Sequence, residues 1–175
     1  AFVKWKGKNL YLIAGQQKTF SSLDDMTSDL TTSFSERAAF VTAFNYQRRL
    51  GLSAGYAKDD FLVTAGVFTD PFIELDDVDT NSTGFDLRAT WSPKIGKIKA
   101  HLGASYHWRD LKDFAAEDTA YQQRPLVHVA ETRYIGTPDL NVEKEQSYGI
   151  EAAAVHGRLH VAGEMHWMKP ELAGL

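Results

Sequence analysis

Thirteen consecutive residues, 97–109, alternate without a break between two kinds of side chain. The apolar positions are Ile98, Ala100, Leu102, Ala104, Tyr106 and Trp108. The polar or small positions are Lys97, Lys99, His101, Gly103, Ser105, His107 and Arg109. Because successive side chains of a strand point to opposite faces, the stretch predicts a strand with one apolar and one cationic face. Soluble strands usually have about 5–6 residues, whereas a tilted strand needs about 9–11 to cross a bilayer. The length and the charge together favour a strand with lipid on one side and water on the other.

The same alternation recurs in other parts of the chain, within 48–57, 84–92 and 158–168. Several of these apolar faces end in a Tyr or Trp, as is typical of rings at the level of lipid headgroups. A soluble β-sandwich or lipocalin-like barrel would produce a similar alternation with its apolar face turned inward. The pattern favours the membrane barrel and leaves the soluble barrel open.

The predicted strands come in pairs that are joined by short turns and separated by longer polar loops. The paired segments are 1–5 with 9–17, 48–57 with 61–69, 84–92 with 97–108, and 145–155 with 158–168, and a weaker strand covers 124–131. The longer loops are 18–47, 70–83, 109–123 and 132–144. Short turns at one end and long loops at the other are typical of outer-membrane barrels. We therefore predict an all-β fold, an antiparallel transmembrane β-barrel, with 1–175 as a single domain.

Composition narrows the class further. The formal net charge is −4 and no basic run is longer than Arg48-Arg49, which argues against a nucleic-acid surface. No window approaches the about 18–20 apolar residues of a membrane-spanning helix. The mean hydropathy of −0.33 does not oppose a barrel, because alternation hides its apolar face. Since the chain opens directly in strand-like residues without a starting Met, we expect it to be a segment of a longer protein.

Residues 18–47 form the longest predicted loop. Within it, Ser22 precedes Leu23-Asp24-Asp25, which resembles a helix N-cap with an acid three residues on. Two interpretations remain open: a surface loop with one helical turn, or a loop folded into the pore as a constriction. A surface loop is the more common outcome for such a segment, whereas the second interpretation is suggested because long loops in compact proteins are usually functional.

A family resemblance appears when these segments are taken in order. Ala14-Gly15-Gln16, Ser22-Leu23-Asp24, Met26-Thr27-Ser28 and Ser35-Glu36-Arg37 resemble the signature of the phosphate-selective porin O and P family. Later segments continue the resemblance over nearly the whole chain, and they include Arg48-Arg49-Leu50-Gly51, 101–106, Arg124-Pro125 and 145–151. The resemblance implies a homotrimeric bacterial outer-membrane porin with sixteen antiparallel strands, of which about nine would lie in this chain.

The sequence departs from the family pattern where phosphate-specific members carry cations. The stretch 24–30, after the family's SLE-like element, contains no lysine. The stretch 122–128 retains a single arginine, Arg124. An anion leaves its hydration shell only where fixed cations or donors replace it, so we expect weaker phosphate binding.

Charged side chains on the polar faces are the candidate solute contacts, because a charge facing lipid at the bilayer midplane costs roughly 2–4 kcal/mol. The candidates are Arg37, Arg49, Arg88, Lys97, Lys99, Arg109 and Arg124. Solvated charges near strand ends are the alternative interpretation for each of them. Arg37 matches the Glu-Arg pair that follows the family's loop.

We expect neither catalysis nor a cofactor. Gly51-Leu52-Ser53-Ala54-Gly55 fits the nucleophile-elbow pattern of hydrolases, but it lies inside an alternating strand rather than in a strand–turn–helix. The sequence favours an outer-membrane channel for small hydrophilic solutes, including anions such as phosphate. A soluble or periplasmic β-barrel that binds a small ligand in an apolar interior is the alternative.

Overall fold

The computed structural model describes residues 1–28, 30–34, 36–44, 46–71, 82–111, 120–123, 132–133 and 135–173. These residues are dominated by antiparallel strands. In chain order the elements are β1 (Phe2–Lys6), β2 (Leu10–Lys18), α1 (Leu23–Met26), α2 (Ala39–Ala43), β3 (Arg48–Lys58), β4 (Phe61–Thr69), β5 (Thr83–Trp91), β6 (Lys94–Ile95), β7 (Ile98–Asp110), β8 (Gln122–Gln123), β9 (Ile135–Gly136), β10 (Val142–His156) and β11 (Leu159–Leu172).

The main sheet is an antiparallel meander in the order β1-β2-β3-β4-β5-β7-β10-β11, with β6 paired to β7. Strands β8 and β9 form a separate pair. Among the described residues β1 and β11 are the two edges of the main sheet, which is therefore not closed. The all-β prediction and the four predicted strand pairs are confirmed, with bounds that differ by a few residues.

The turn between the paired segments 84–92 and 97–108, which the sequence predicts at residues 93–96, differs in detail from the structure. Lys94 and Ile95 extend the ladder as β6, opposite Lys99 and Ile98. The reversal falls at Gly96 and Lys97, where Gly96 adopts a φ of 61° that favours glycine. Lys97 therefore lies in the turn rather than on β7. The weaker strand predicted at 124–131 lies outside the described residues.

The two faces of the sheet differ in character. One face packs against residues 19–46, and we call it the inner face. It carries the polar alternation of β7, including Ser105, His107 and Arg109, of which His107 and Arg109 are buried. The outer face carries the apolar alternation, and its side chains are exposed, for example Leu102 at 49% and Leu52 at 61%. The described residues therefore do not form the closed apolar interior that the soluble alternative requires.

Aromatic side chains of the outer face form two bands. One band lies near the short hairpin turns and contains Trp5, Tyr56, Phe61 and Trp91, in which Phe61 stacks on Trp91 with 6.0 Å between ring centroids. The other band contains Phe85, Tyr106, Trp108, Tyr148 and Trp167. Six positions separate Phe85 from Trp91 on β5, about 20 Å at roughly 3.3 Å per residue. On a strand tilted by about 35–45°, this distance corresponds to roughly 15 Å along the membrane normal, which fits within the apolar band of about 25 Å of outer-membrane barrels.

Among the described residues, no helix has both the length and the apolar character that a membrane-crossing helix needs.

Candidate pore-lining site

The described residues of 19–46, here called the inner segment, contain both helices and lie against the inner face. The predicted N-cap is confirmed: the Ser22 hydroxyl accepts a hydrogen bond from the Asp25 backbone N–H at 2.9 Å. Helix α2 was not predicted, because its N-cap Ala38 offers no side-chain acceptor. The inner segment thus begins with a locally encoded turn, and the rest of its path is set by contacts with the sheet.

Strands β5 and β7 hold the start of the inner segment. The Phe20 backbone N–H donates to the Asp86 carboxylate at 2.8 Å, and Asp86 also binds His107. The Ser105 hydroxyl donates to the Ser21 carbonyl at 2.7 Å. Asp86 is 0% exposed, so these hydrogen-bond partners, and not water, stabilise its carboxylate. Hydrogen bonds to an ionised group are roughly twice as strong as neutral ones, which makes Asp86 a strong anchor.

The end of the inner segment is anchored on β10. The Tyr46 hydroxyl lies 2.7 Å from the Ser147 hydroxyl, and the Tyr46 ring meets the His107 ring edge-on at 5.7 Å. Burial raises the pKa of Tyr46, and the nearby Glu145 and Asp86 carboxylates raise it further. Tyr46 therefore stays protonated and can donate to Ser147.

The inner segment also reaches β11. The Glu164 carboxylate accepts hydrogen bonds from the backbone N–H groups of Leu23 and Asp24, both at 2.8 Å. The Phe40 ring stacks on the His166 ring at 4.0 Å between centroids, with 18° between the ring planes. The Ser33 hydroxyl lies 2.8 Å from His160. The inner segment therefore extends over the inner face from β5 to β11.

Two of the predicted cations, Arg49 and Arg109, are brought together near the long-loop end of the sheet. Arg49 donates to Asp70 at 3.0 Å, and Arg109 donates to Glu145 at 2.9 Å while lying 3.8 Å from Asp70. The Ser82 hydroxyl lies within 3.4 Å of both guanidinium groups. All these side chains are buried, so the two positive charges are neutralised by the two carboxylates.

Tyr121 adds a hydroxyl to this cluster. It donates to Glu145 at 2.9 Å. Burial raises the pKa of Tyr121, and the Glu145 charge raises it further. Tyr121 therefore remains a neutral donor, and Glu145 binds both Arg109 and Tyr121.

Arg88 lies on the inner face, away from this cluster, and pairs with Glu151. His101 also contacts Glu151, with 2.6 Å between Nε2 and the carboxylate, and its other nitrogen lies 2.8 Å from the Ser92 hydroxyl. Three of the predicted cations, Arg49, Arg88 and Arg109, thus occupy the polar face, and each is matched by a buried carboxylate.

The remaining predicted cations occupy other places. Arg37 lies within the inner segment, donates to the Thr27 carbonyl at 2.7 Å and lies 3.7 Å from the Asp24 carboxylate. Lys99 and Lys97 are exposed near the β6–β7 turn. Arg124 lies outside the described residues. Among the seven candidates, only Arg49 and Arg109 share a partner in the described part of the structure.

Sequence reasoning did not single out the carboxylates that pair with these cations. Asp86, Glu151 and Glu164 have the same alternation parity as the polar residues on their strands, so parity could have placed them on the inner face. Asp70 follows the end of β4, and no local pattern indicates its role. Tyr46 lies in the connection between α2 and β3, where no periodic signal is available.

An antiparallel meander with a polar inner face, an apolar outer face and a segment packed on the inner side defines a porin-like all-β protein. The sequence model of the family described as phosphate-selective porin O and P matches residues 1–173, and the chain belongs to this family. It is also similar to an uncharacterized protein of Caulobacter vibrioides, with 44% identity over 179 residues. That match covers 98% of this chain and 36% of the relative, so the chain spans about a third of the relative's length.

Proposed function

We propose that this chain forms part of the wall of a water-filled diffusion channel in the bacterial outer membrane. The observation that carries the proposal is the inner face, where ionised and hydroxyl side chains replace the apolar core of a soluble barrel. The outer face, with exposed aliphatic side chains between two aromatic bands, fits contact with lipid. The full-length protein would act as a homotrimer, as the family resemblance implies, and would carry small hydrophilic solutes without catalysis.

The inner segment would form the constriction of this channel. It extends over the inner face from β5 to β11 and is anchored by side chains of β5, β7, β10 and β11. A segment held inside a barrel wall reduces the free cross-section, so solutes would be selected first by size. Arg37, which belongs to this segment, would then lie beside the solute path.

The electrostatic preference of the channel would be modest. Arg49, Arg88 and Arg109 are each paired with a carboxylate, so they present little net positive charge to a passing anion. Lys97 and Lys99 remain as exposed cations at the short-turn end. We therefore propose small polar solutes as the main cargo and a weak preference for anions such as phosphate.

Planar-bilayer recording of the full-length protein tests this function. The purified protein should insert from detergent and produce stepwise increases in conductance in potassium chloride. Replacement of chloride by phosphate should change the conductance without the strong block that a tight phosphate site produces. A protein that is monomeric and stable without detergent, and that gives no steps, would contradict the channel.

A further inference from the structure

Glu164 on β11 makes a contact with the inner segment that bridges 141 residues of sequence. Its two carboxylate oxygens accept separate hydrogen bonds from the consecutive backbone N–H groups of Leu23 and Asp24, each at 2.8 Å. These N–H groups lie at the start of α1, where helix geometry leaves backbone donors without an internal partner. One side chain of the wall thus satisfies two backbone groups of the segment at once.

His166, two residues further along β11, supports the same contact. Its Nε2 lies 3.3 Å from Glu164, and because a carboxylate can only accept, the imidazole is the donor. The other side of the contact comes from Phe40 of α2, which stacks on the His166 ring at 4.0 Å. The His166 side chain is 1% exposed, so the ring is fixed between wall and segment. Glu164 and His166 together connect β11 to both helices.

The remaining strand contacts of the inner segment described above lie on β5, β7 and β10, through Asp86, Ser105 and Ser147, apart from the Ser33–His160 bond on β11. The β11 contacts are therefore the ones that fix the far side of the segment. Loss of the Glu164 contact would leave the Leu23 and Asp24 N–H groups without their acceptor on the wall. The Asp86 anchor of Phe20 and the ion pair of Lys18 with Asp25 at 3.4 Å would stay in place. The start of α1 would then lose its anchor on β11, and the segment would be held there only by the Phe40–His166 stacking and the Ser33–His160 bond among the described contacts.

From this geometry we infer that Glu164 is a positioning residue that holds the inner segment at a fixed distance from the wall and so sets the width of the channel. The inference rests on the proposed channel function. Glu164 acts through the backbone of Leu23 and Asp24. Because both of its carboxylate oxygens accept hydrogen bonds from these N–H groups, its charge stabilises the inner segment and does not contact the solute.

Three variants of the full-length protein test this role: Glu164→Gln, Glu164→Ala and the control Glu171→Gln. Glu171 lies on the same strand and is exposed, and Glu171→Gln removes the same negative charge as Glu164→Gln. Among the described hydrogen bonds, Glu171 has none to the inner segment. The measurements are single-channel conductance and the largest uncharged polymer, from a polyethylene glycol series, that still enters the channel. A heat-modifiable gel band identifies folded barrels in each preparation.

We expect Glu164→Ala to raise the conductance, broaden its distribution and increase the polymer size cutoff. Glu164→Gln keeps one oxygen acceptor and should give a smaller change in the same direction, and Glu171→Gln should match the wild type. If Glu164→Ala does not fold, Glu164→Gln decides the question by the same two measurements.

Two results would overturn the inference. A cutoff equal to that of the wild type in every folded variant would show that Glu164 does not set the width. A shift in ion selectivity with an unchanged cutoff would identify Glu164 as a fixed charge instead. A wild-type protein without conductance would contradict the channel itself, which separates the two failures.

Discussion

Glu151 on β10 and Glu164 on β11 lie directly opposite each other in the sheet register, and both face inward. Like charges in this arrangement destabilise a strand pair unless each has its own partner. Glu151 is bound by Arg88 and His101 of the wall. Glu164 is bound by two backbone N–H groups of the inner segment. The Glu151 carboxylate therefore stabilises contacts between strands of the wall, whereas the Glu164 carboxylate binds the inner segment to the wall.

Removal of Arg88 should destabilise the barrel. Arg88→Gln leaves the buried Glu151 with His101 as its remaining ion-pair partner among the described residues. An uncompensated buried charge costs roughly 3–5 kcal/mol, and water in a lumen reduces that cost, so we expect a loss of about 1–3 kcal/mol. Urea unfolding of the full-length protein in detergent measures this loss in the free energy of unfolding.

Two further variants serve as controls for the Arg88 prediction. The double variant Arg88→Gln/Glu151→Gln should recover part of the loss. Lys99→Gln, at an exposed position, should change the free energy of unfolding by less than about 0.5 kcal/mol.

Removal of Arg109 should shift ion selectivity toward cations. Arg109→Gln leaves Glu145 without the guanidinium that neutralises it at 2.9 Å. The unpaired carboxylate would attract cations and repel anions in the lumen. The reversal potential across a salt gradient measures the change, and Arg109→Gln/Glu145→Gln should return it toward the wild-type value. An unchanged reversal potential in the single variant would exclude this pair from the solute path.

A methyl group at Gly55 should be costly because of Tyr11. Gly55 on β3 faces Tyr11 on β2, and a Cβ built at Gly55 overlaps the Tyr11 ring. Overpacking costs about 1–3 kcal/mol, and because the overlapping atoms lie at the tip of the Tyr11 side chain, which can turn aside, we expect Gly55→Ala to lower the free energy of unfolding by about 1 kcal/mol. In a Tyr11→Ser background the same substitution should cost much less. Gly163→Ala is the matched control, because no atom lies within 4 Å of its added Cβ.

Asp25 should make the stability depend on pH. Burial raises the pKa of Asp25 above its ordinary value of 3.8, and this outweighs the opposing charge of Lys18 and the hydrogen bond with it. The folded state then binds the proton more tightly than the unfolded state. The associated stability is fully present below the ordinary pKa and is lost as the pH rises through the raised pKa. Unfolding across this range should show the decline in the wild type, and Asp25→Asn should flatten it.

The sheet could largely be predicted from the sequence, since alternation with period two is a local property. The polar and apolar faces of β7, the hairpin of β3 and β4, and the Ser22 cap all followed from residues close in the chain. Lys97 was placed on β7 because the alternation of polar and apolar residues continues into the turn, whereas the strand begins one residue later, at Ile98.

The site was less predictable, since its contacts join distant parts of the chain. Parity placed Arg49, Arg88 and Arg109 on the inner face, but the pairing of Arg49 with Asp70 depends on how β3 and the end of β4 align. The bond between Glu164 and Leu23 spans 141 residues, and neither residue carries a local sign of it. Contacts of side chains with residues elsewhere in the chain are therefore the part that residue patterns leave open.

The order of the elements along the chain has a consequence for assembly. The inner segment is synthesised between β2 and β3, whereas its contact with Glu164 lies on β11, the last strand described here. Contacts of such large sequence separation require a costly loop closure and form slowly. The start of α1 can already contact Lys18 of β2, but the Leu23 and Asp24 N–H groups find their acceptor on the wall only once β11 has joined the sheet. This side of the inner segment is therefore fixed only in the late steps of folding.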